Sequence, residues 1–208
     1  MPDFILEEKY GDFVVGIDEA GRGPWAGPVV AGAVMFKNRN ANPELTNMLD
    51  DSKKLSAKKR EKIYDMLFDE AKKGNVLLGI GDASVEEIDS LNILQATFLA
   101  MNRAFEKLGI SSPDMVLVDG NQIPSTIKCS CKTVVKGDAK CCSISAASIL
   151  AKVYRDRLMK KLAEEYPYYG FEKNAGYGTK LHIDGLKKYG VSAIHRRSYK
   201  PIKEFFSE

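Results

Sequence analysis

The chain has 208 residues, 44% hydrophobic and 28% charged, which fits one substantial soluble domain with room for a small appendage. No apolar run approaches membrane length, and the opening MPDFILEEKYGD lacks the basic stretch and apolar core of a secretory leader, so a cytoplasmic location is the expectation. The net charge of +3 is too small to name a partner by itself, and the four cysteines, in CSC and CC pairs, match no zinc spacing and read as reduced thiols.

FVVGI (13–17) is continuous, β-branched and apolar, and predicts a buried strand. GPVVAGAVMF (27–36) predicts a second, reached through the loop GRGPWAG. KNRNANPELTN (37–47) is polar and reads as a loop. A helix follows, opened by Ser56 as its cap, striped by Ile63, Met66 and Leu67, and ended at Gly74. NVLLGIGDA suits a strand. Ser84 and Glu87 then make a capping box, opening a helix toward Lys107 with a break expected near 90–92. DMVLVDG (114–120) is a further buried strand, and TIKCSCKTVVKGD (126–138) alternates enough for one more. SISAASILAKVYRDRLMKKLAEEY (143–166) is a long helix whose small residues permit close packing, and TKLHIDGLKKYG (179–190) is a shorter one before an irregular tail. The order predicts a single α/β unit with a mixed sheet: short loops pair the early strands antiparallel, and helical crossovers join the later ones.

Two predicted strands end in acid followed by glycine, at Asp18-Glu19 and at Asp119. Ligands of open α/β sheets gather at the carboxyl ends of strands. Neighbouring residues on a regular strand face opposite ways, so Asp18 and Glu19 share a site only at the strand's tip. Clustered carboxylates repel one another unless a divalent cation neutralises them, and an all-oxygen donor set favours Mg²⁺ or Mn²⁺ over Zn²⁺. Residues 180–203 carry seven lysines and arginines against Asp184 alone, a basic end that suggests a polyanion. Together these point to phosphodiester chemistry with two metal ions. Asp138 and Asp156 are both candidates for a fourth acid; one could equally cap a helix and the other pair with nearby arginines. The loop GRGPWAG is one residue too long for a dinucleotide fingerprint and leads into a strand instead of a helix. Its glycines suit close backbone approach to a ligand, and the 2′-hydroxyl that marks RNA is such a group.

The segments GIDEAGRGPWAGPVVAGAV, DSKKLS, IDSLNIL, VLVDGN, VVKGD, SISAASILAKVYRDRLM, GYGT and HRRSY, in this order, resemble the bacterial ribonuclease HII family over nearly the whole chain. The resemblance implies a ribonuclease H-like α/β fold: a mixed five-stranded sheet flanked by helices, catalytic over 1–165, with a C-terminal helical, substrate-binding extension over 166–208. It implies endonucleolytic cleavage of RNA in RNA–DNA hybrids and at single ribonucleotides in duplex DNA, by a monomer using two Mn²⁺ or Mg²⁺ ions. Asp18, Glu19 and Asp119 match the family's metal-binding acids, and the KGD segment selects Asp138 over Asp156. Gly21, Arg22 and Gly23 match the loop that reads the 2′-hydroxyl, and Tyr177 the tyrosine that packs on the next sugar. Lys53, Lys54, Lys152, Arg155 and Arg196 are expected near phosphates, with His182, His195 and Arg197 as further backbone contacts. His195 as a general acid is set aside for a structural histidine. Ser145 stands where alanine is expected. The tail IKEFFSE faintly resembles sliding-clamp ligands without their glutamine pattern and is read as packing on its own domain.

Overall fold

The five apolar runs become the five strands of one sheet in the computed structural model, which describes residues 1–206. The strands are β1 (Val14–Ala20), β2 (Val29–Phe36), β3 (Val76–Ala83), β4 (Met115–Asp119) and β5 (Cys131–Val134). Their order is β3-β2-β1-β4-β5. β2 pairs antiparallel with β1 and β3, whereas β4 runs parallel to β1 and β5, giving the expected mixed sheet, although β2 and β3 pair antiparallel with helices between them and β4 and β5 pair parallel with none.

Side-chain alternation divides the sheet between two helical layers. Val15, Ile17, Ala31, Ala33, Val116 and Val118 face α5 (Ile93–Glu106), through Ala96, Ala100 and Ala104. Val14, Val34 and Leu117 face the other way, toward the long α6 (Cys142–Glu165) and toward α3 (Ala57–Lys72). α6 lies so close that a Cβ at Gly32 would stand 2.4 Å from the Ala147 carbonyl oxygen, and one at Gly16 2.3 Å from the Ile144 nitrogen. Small residues on both partners are therefore the condition for α6 to lie across β1 and β2.

The strand ends depart from the sequence reading. β1 continues through Asp18 and Glu19 to Ala20, because backbone pairing with β2 extends to Ala20 opposite Val30. β5 is only four residues long, and the KGD segment turns instead into a short 3-10 helix, Gly137–Ala139. Residues 43–48, read as loop, form α2 (Pro43–Met48): Asn42 Oδ1 accepts from the Leu45 N–H at 3.0 Å, proline occupies the first turn, and Leu45 is buried. A short N-terminal helix, α1 (Ile5–Glu8), was not expected either. The break after α4 (Val85–Leu91) falls at Asn92, whose φ of 72° ends one helix while its side chain caps α5 through Leu94 and Gln95. Beyond α6, a second apolar cluster gathers Ala26, Met159, Tyr169, Phe171, Leu186 and Ile202, drawing α7 (Phe171–Asn174), α8 (Lys180–Tyr189) and α9 (Lys200–Lys203) against the loop that follows β1. Ile202 is fully buried and Phe205 packs on the same cluster, so the start of the tail sits on its own chain; Ser207 and Glu208 lie outside the described residues. The four cysteines are free, and burial raises each thiol's pKa, that of Cys131 to about 11.

Candidate active site

The last parallel pair of β1 and β4 is Ile17 with Val118, so Asp18 and Asp119 emerge side by side at the carboxyl ends of neighbouring strands. Both belong to the α6 face, and Asp18 is buried there. Glu19 follows the alternation to the opposite face, where it and Asp119 border a second hollow with Leu94, Thr97 and Met101 of α5. At the strand's tip Glu19 nevertheless reaches the main cavity, of about 370 Å³, together with Asp18 and Asp119. The tip position thus overcomes the period-2 separation of adjacent residues.

A backbone clamp sets the position of Asp138. Asp119 Oδ1 accepts from the Gly137 N–H at 2.7 Å, which anchors the 3-10 turn and sets buried Asp138 beside Asp119. Asp156 is elsewhere: it pairs with Lys152 at 2.7 Å on α6, not with an arginine. Burial, then the charges of Glu19, Asp119 and Asp138, push the Asp18 carboxyl well above the usual range. Burial likewise raises Glu19, opposed by Arg22, and raises Asp138, with Asp51 and Asp119 adding to it and Lys53 opposing.

Such a set of mutually repelling, oxygen-only donors fits a hard divalent ion by its chemistry. In the arrangement seen, however, among the described residues no group of three Asp, Glu, His or Cys side chains is disposed to hold an ion. One oxygen of Asp18 accepts from the Glu19 N–H at 2.7 Å, and Glu19 lies 3.5 Å from Arg22. Ion binding at these acids therefore requires their side chains to draw together.

The glycine loop begins one residue after β1. Gly21 takes a φ of 96°, and a Cβ there would fall 2.0 Å from Arg155 Nε. Arg155 is buried under the loop, donating from Nε to the Pro28 carbonyl, from Nη1 to Ala175 and from Nη2 to Ala26 at 2.9–3.1 Å. Burial lowers its pKa to about 10. Arg196 is fully buried and donates to the carbonyls of Gly27, Arg22 and Gly21. Tyr199, which the sequence did not single out, caps the same Arg22 carbonyl with its hydroxyl. Arg155 and Arg196 thus have their guanidinium groups committed to holding the loop, whose curled backbone leaves buried carbonyls that need donors, and Arg155 also borders the main cavity.

The remaining candidates divide by position. Lys53 borders the main cavity, while Lys54 lies 3.4 Å from Asp50 and does not. Lys152 reaches the cavity although tied to Asp156. Arg22 is about half exposed and leans on Glu19. Tyr177 is exposed opposite the loop, its Cε1 3.4 Å from where a Gly23 Cβ would stand. Two cavity residues were not anticipated, Ser52 and Ser148, joined by a 2.7 Å hydrogen bond; Ser148 lies one turn before Lys152 on α6, a spacing that could have flagged it. His182 and His195 are wholly buried, away from any surface that could meet a nucleic-acid backbone, and Arg197 is exposed.

A family model described as Ribonuclease HII matches residues 15–202. A ribonuclease HII of Wolbachia sp. subsp. Brugia malayi is 52% identical over 201 residues, 97% of this chain and 94% of that one. Among solved structures, the ribonuclease H2 of Pyrococcus horikoshii superposes with a TM-score of 0.75 at 30% identity, over 93% of this chain and 97% of that one. Bst-RNase HIII, solved in complex with Mn²⁺, has a TM-score of 0.75 over 100% of this chain and 73% of that one; at 16% identity it bears on the fold alone.

Proposed function

The chain belongs to the ribonuclease HII family of nucleases, and on that premise we propose that it cuts the RNA strand of RNA–DNA hybrids and DNA duplexes that carry a single ribonucleotide, leaving 5′-phosphate and 3′-hydroxyl ends. One observation carries the reading. A single cavity is bordered by the acids Asp18, Glu19 and Asp119 and also by Gly21, Arg22, Gly23 and Tyr177, so the cutting groups and the groups suited to recognising a sugar face the same space.

In this reading Asp18, Glu19, Asp119 and Asp138 would hold two Mg²⁺ or Mn²⁺ ions, which would supply an activated water and neutralise charge developing at the departing 3′-oxygen. The chain's own residues do the selecting. Arg155 and Arg196 fix the loop from beneath; the loop's backbone, without a Cβ at Gly21 or Gly23, comes close enough to test for a 2′-hydroxyl, which both donates and accepts. The Tyr177 ring packs on the adjoining deoxyribose. Lys53 and Lys152 meet phosphates from the cavity wall. The cellular work that follows is removal of RNA primers and of ribonucleotides from DNA, by a monomer in the cytoplasm.

The test is cleavage of an RNA–DNA hybrid in Mg²⁺, Mn²⁺ or EDTA by the wild type and by Asp119→Asn. We expect metal-dependent incision, and a loss of about a thousandfold in rate for the variant with hybrid binding kept. Cutting in EDTA, or near-normal turnover by Asp119→Asn, would overturn the assignment.

A further inference from the structure

The chain's only two histidines meet inside the C-terminal region, apart from the carboxylates. The Nε2 atoms of His182 and His195 lie 2.9 Å apart, and both residues are fully buried. Each outer nitrogen meets the backbone. The Ser192 N–H donates to His195 Nδ1 at 3.0 Å, with the Ser192 hydroxyl 2.8 Å from the same atom. His182 Nδ1 stands 3.0 Å from the Tyr177 carbonyl oxygen.

These two ends fix the protons between them. A backbone N–H only donates, so His195 Nδ1 is bare and its proton sits on Nε2. That Nε2–H donates to His182 Nε2, which leaves the His182 proton on Nδ1, donated to the Tyr177 carbonyl. Two neutral imidazoles form one directed chain from Ser192 to Tyr177.

The surroundings keep the pair neutral. Trp25, Tyr169 and Phe171 pack on the rings. Of the nearby titratable groups, the Tyr169 hydroxyl donates to the Gly190 carbonyl, and the Arg196 guanidinium is turned to the glycine loop. Among the described residues no carboxylate acts on either imidazole, and burial lowers both pKa values, that of His195 to about 4.

What the chain connects gives it a use. Residues 194–196 pair with residues 25–27 through Gly27 N–H to the Ile194 carbonyl and Arg196 N–H to the Trp25 carbonyl, both at 2.8 Å. Arg196 then grips Gly21 and Arg22. His195 therefore moves with the glycine loop, whereas His182 holds the turn that carries Tyr177 across from Gly23.

We propose that His182 and His195 are positioning residues: the neutral pair tethers the Tyr177 turn to the segment gripping the glycine loop, and so sets the gap between Tyr177 and Gly23 that receives the substrate's sugar. The inference rests on the reading of Tyr177 as a sugar contact. A proton added between the rings would set two N–H donors face to face and break the link between His182 and His195.

The test uses steady-state kinetics on a duplex with one ribonucleotide, for His182→Asn and His182→Gln, each with Tyr177 intact and with Tyr177→Ala. Asparagine puts an amide N–H where Nδ1 stands and keeps the Tyr177 bond; glutamine reaches the Nε2 position and keeps only the His195 link. Either substitution cuts the tether at one end, so KM rises about five- to tenfold for both asparagine and glutamine, with kcat little changed, and the rise vanishes in Tyr177→Ala. If Tyr177→Ala raises KM but either His182 variant keeps a wild-type KM, or the rise survives in the Tyr177→Ala background, the tether is wrong while the sugar contact stands. If Tyr177→Ala leaves KM unchanged, the sugar contact fails and the tether with it. Nitrogen-15 NMR of the wild type at pH 7 gives a readout that needs no variant: His195 protonated on Nε2 and His182 on Nδ1 support the tether, and the opposite tautomers or an imidazolium refute it.

Discussion

Asp18 and Glu19 are adjacent in the chain and belong to opposite faces of the sheet, yet both border one cavity because β1 ends there. That much was readable from apolar runs ending in acid. The roles of the two buried arginines were not: apart from Ala175, the carbonyls that Arg155 and Arg196 serve lie 127 to 175 residues away in sequence, and composition alone makes any basic residue near acids look like a phosphate contact. Salt dependence separates the two roles. Lys53→Ala should lower the slope of log affinity against log salt by about one contact, whereas Arg196→Lys should leave the slope unchanged and lower the melting temperature. Equal slopes for Lys53→Ala and wild type would remove Lys53 from the phosphate path. Asp18 makes a second prediction. Its pKa is raised in the fold, so its contribution to stability is best below the ordinary value of 3.8 and is lost as pH rises through the raised one. In EDTA at pH 7, Asp18→Asn should therefore melt higher than wild type by a few degrees, roughly 1 kcal/mol, while losing activity. A lower melting temperature would contradict the repulsion argument.

The elements were largely legible where hydrophobic period and caps agree, as in the Ser84–Glu87 capping box, present with both hydrogen bonds. They were not legible where tertiary contacts decide. α2 carries its own signal in Asn42-Pro43, but its stability depends on Glu70, whose carboxylate accepts from Asn42, Lys73 and Asn75 at 2.7–3.1 Å and joins α2, the end of α3 and the entry to β3. Those partners, Lys73 first, hold the Glu70 pKa down to about 2. The stability this adds is complete above the ordinary 4.5 and lost as pH falls through about 2. Glu70→Gln should lose about 1–3 kcal/mol at pH 7, by urea denaturation, and the gap should close toward pH 2. A gap that is flat with pH would show that the carboxylate's charge is not what joins these elements.

For the molecule as a whole, the mixed five-stranded sheet was legible in the sequence, whereas the strand order was not, and the loop-length rule fails where β2 and β3 pair antiparallel across two helices and where β4 and β5 pair parallel with none between them. The basic C-terminal stretch suggested a polyanion. The stretch is less of a surface than its charge implies: Arg196 is internal, while Lys187, Lys188 and Lys200 remain exposed. Its larger contribution is structural, holding the glycine loop beside the acids at the end of β1 around one cavity, in which, on the function proposed, cutting and recognition would meet. That union is the central claim, and its most direct test is incision of a DNA duplex carrying one ribonucleotide beside the same duplex in all-DNA form, with Mg²⁺ or Mn²⁺ present. We expect metal-dependent incision at the ribonucleotide, with a 5′-phosphate end, and an intact all-DNA control. Comparable cutting of both duplexes, or of neither under any metal, would contradict it.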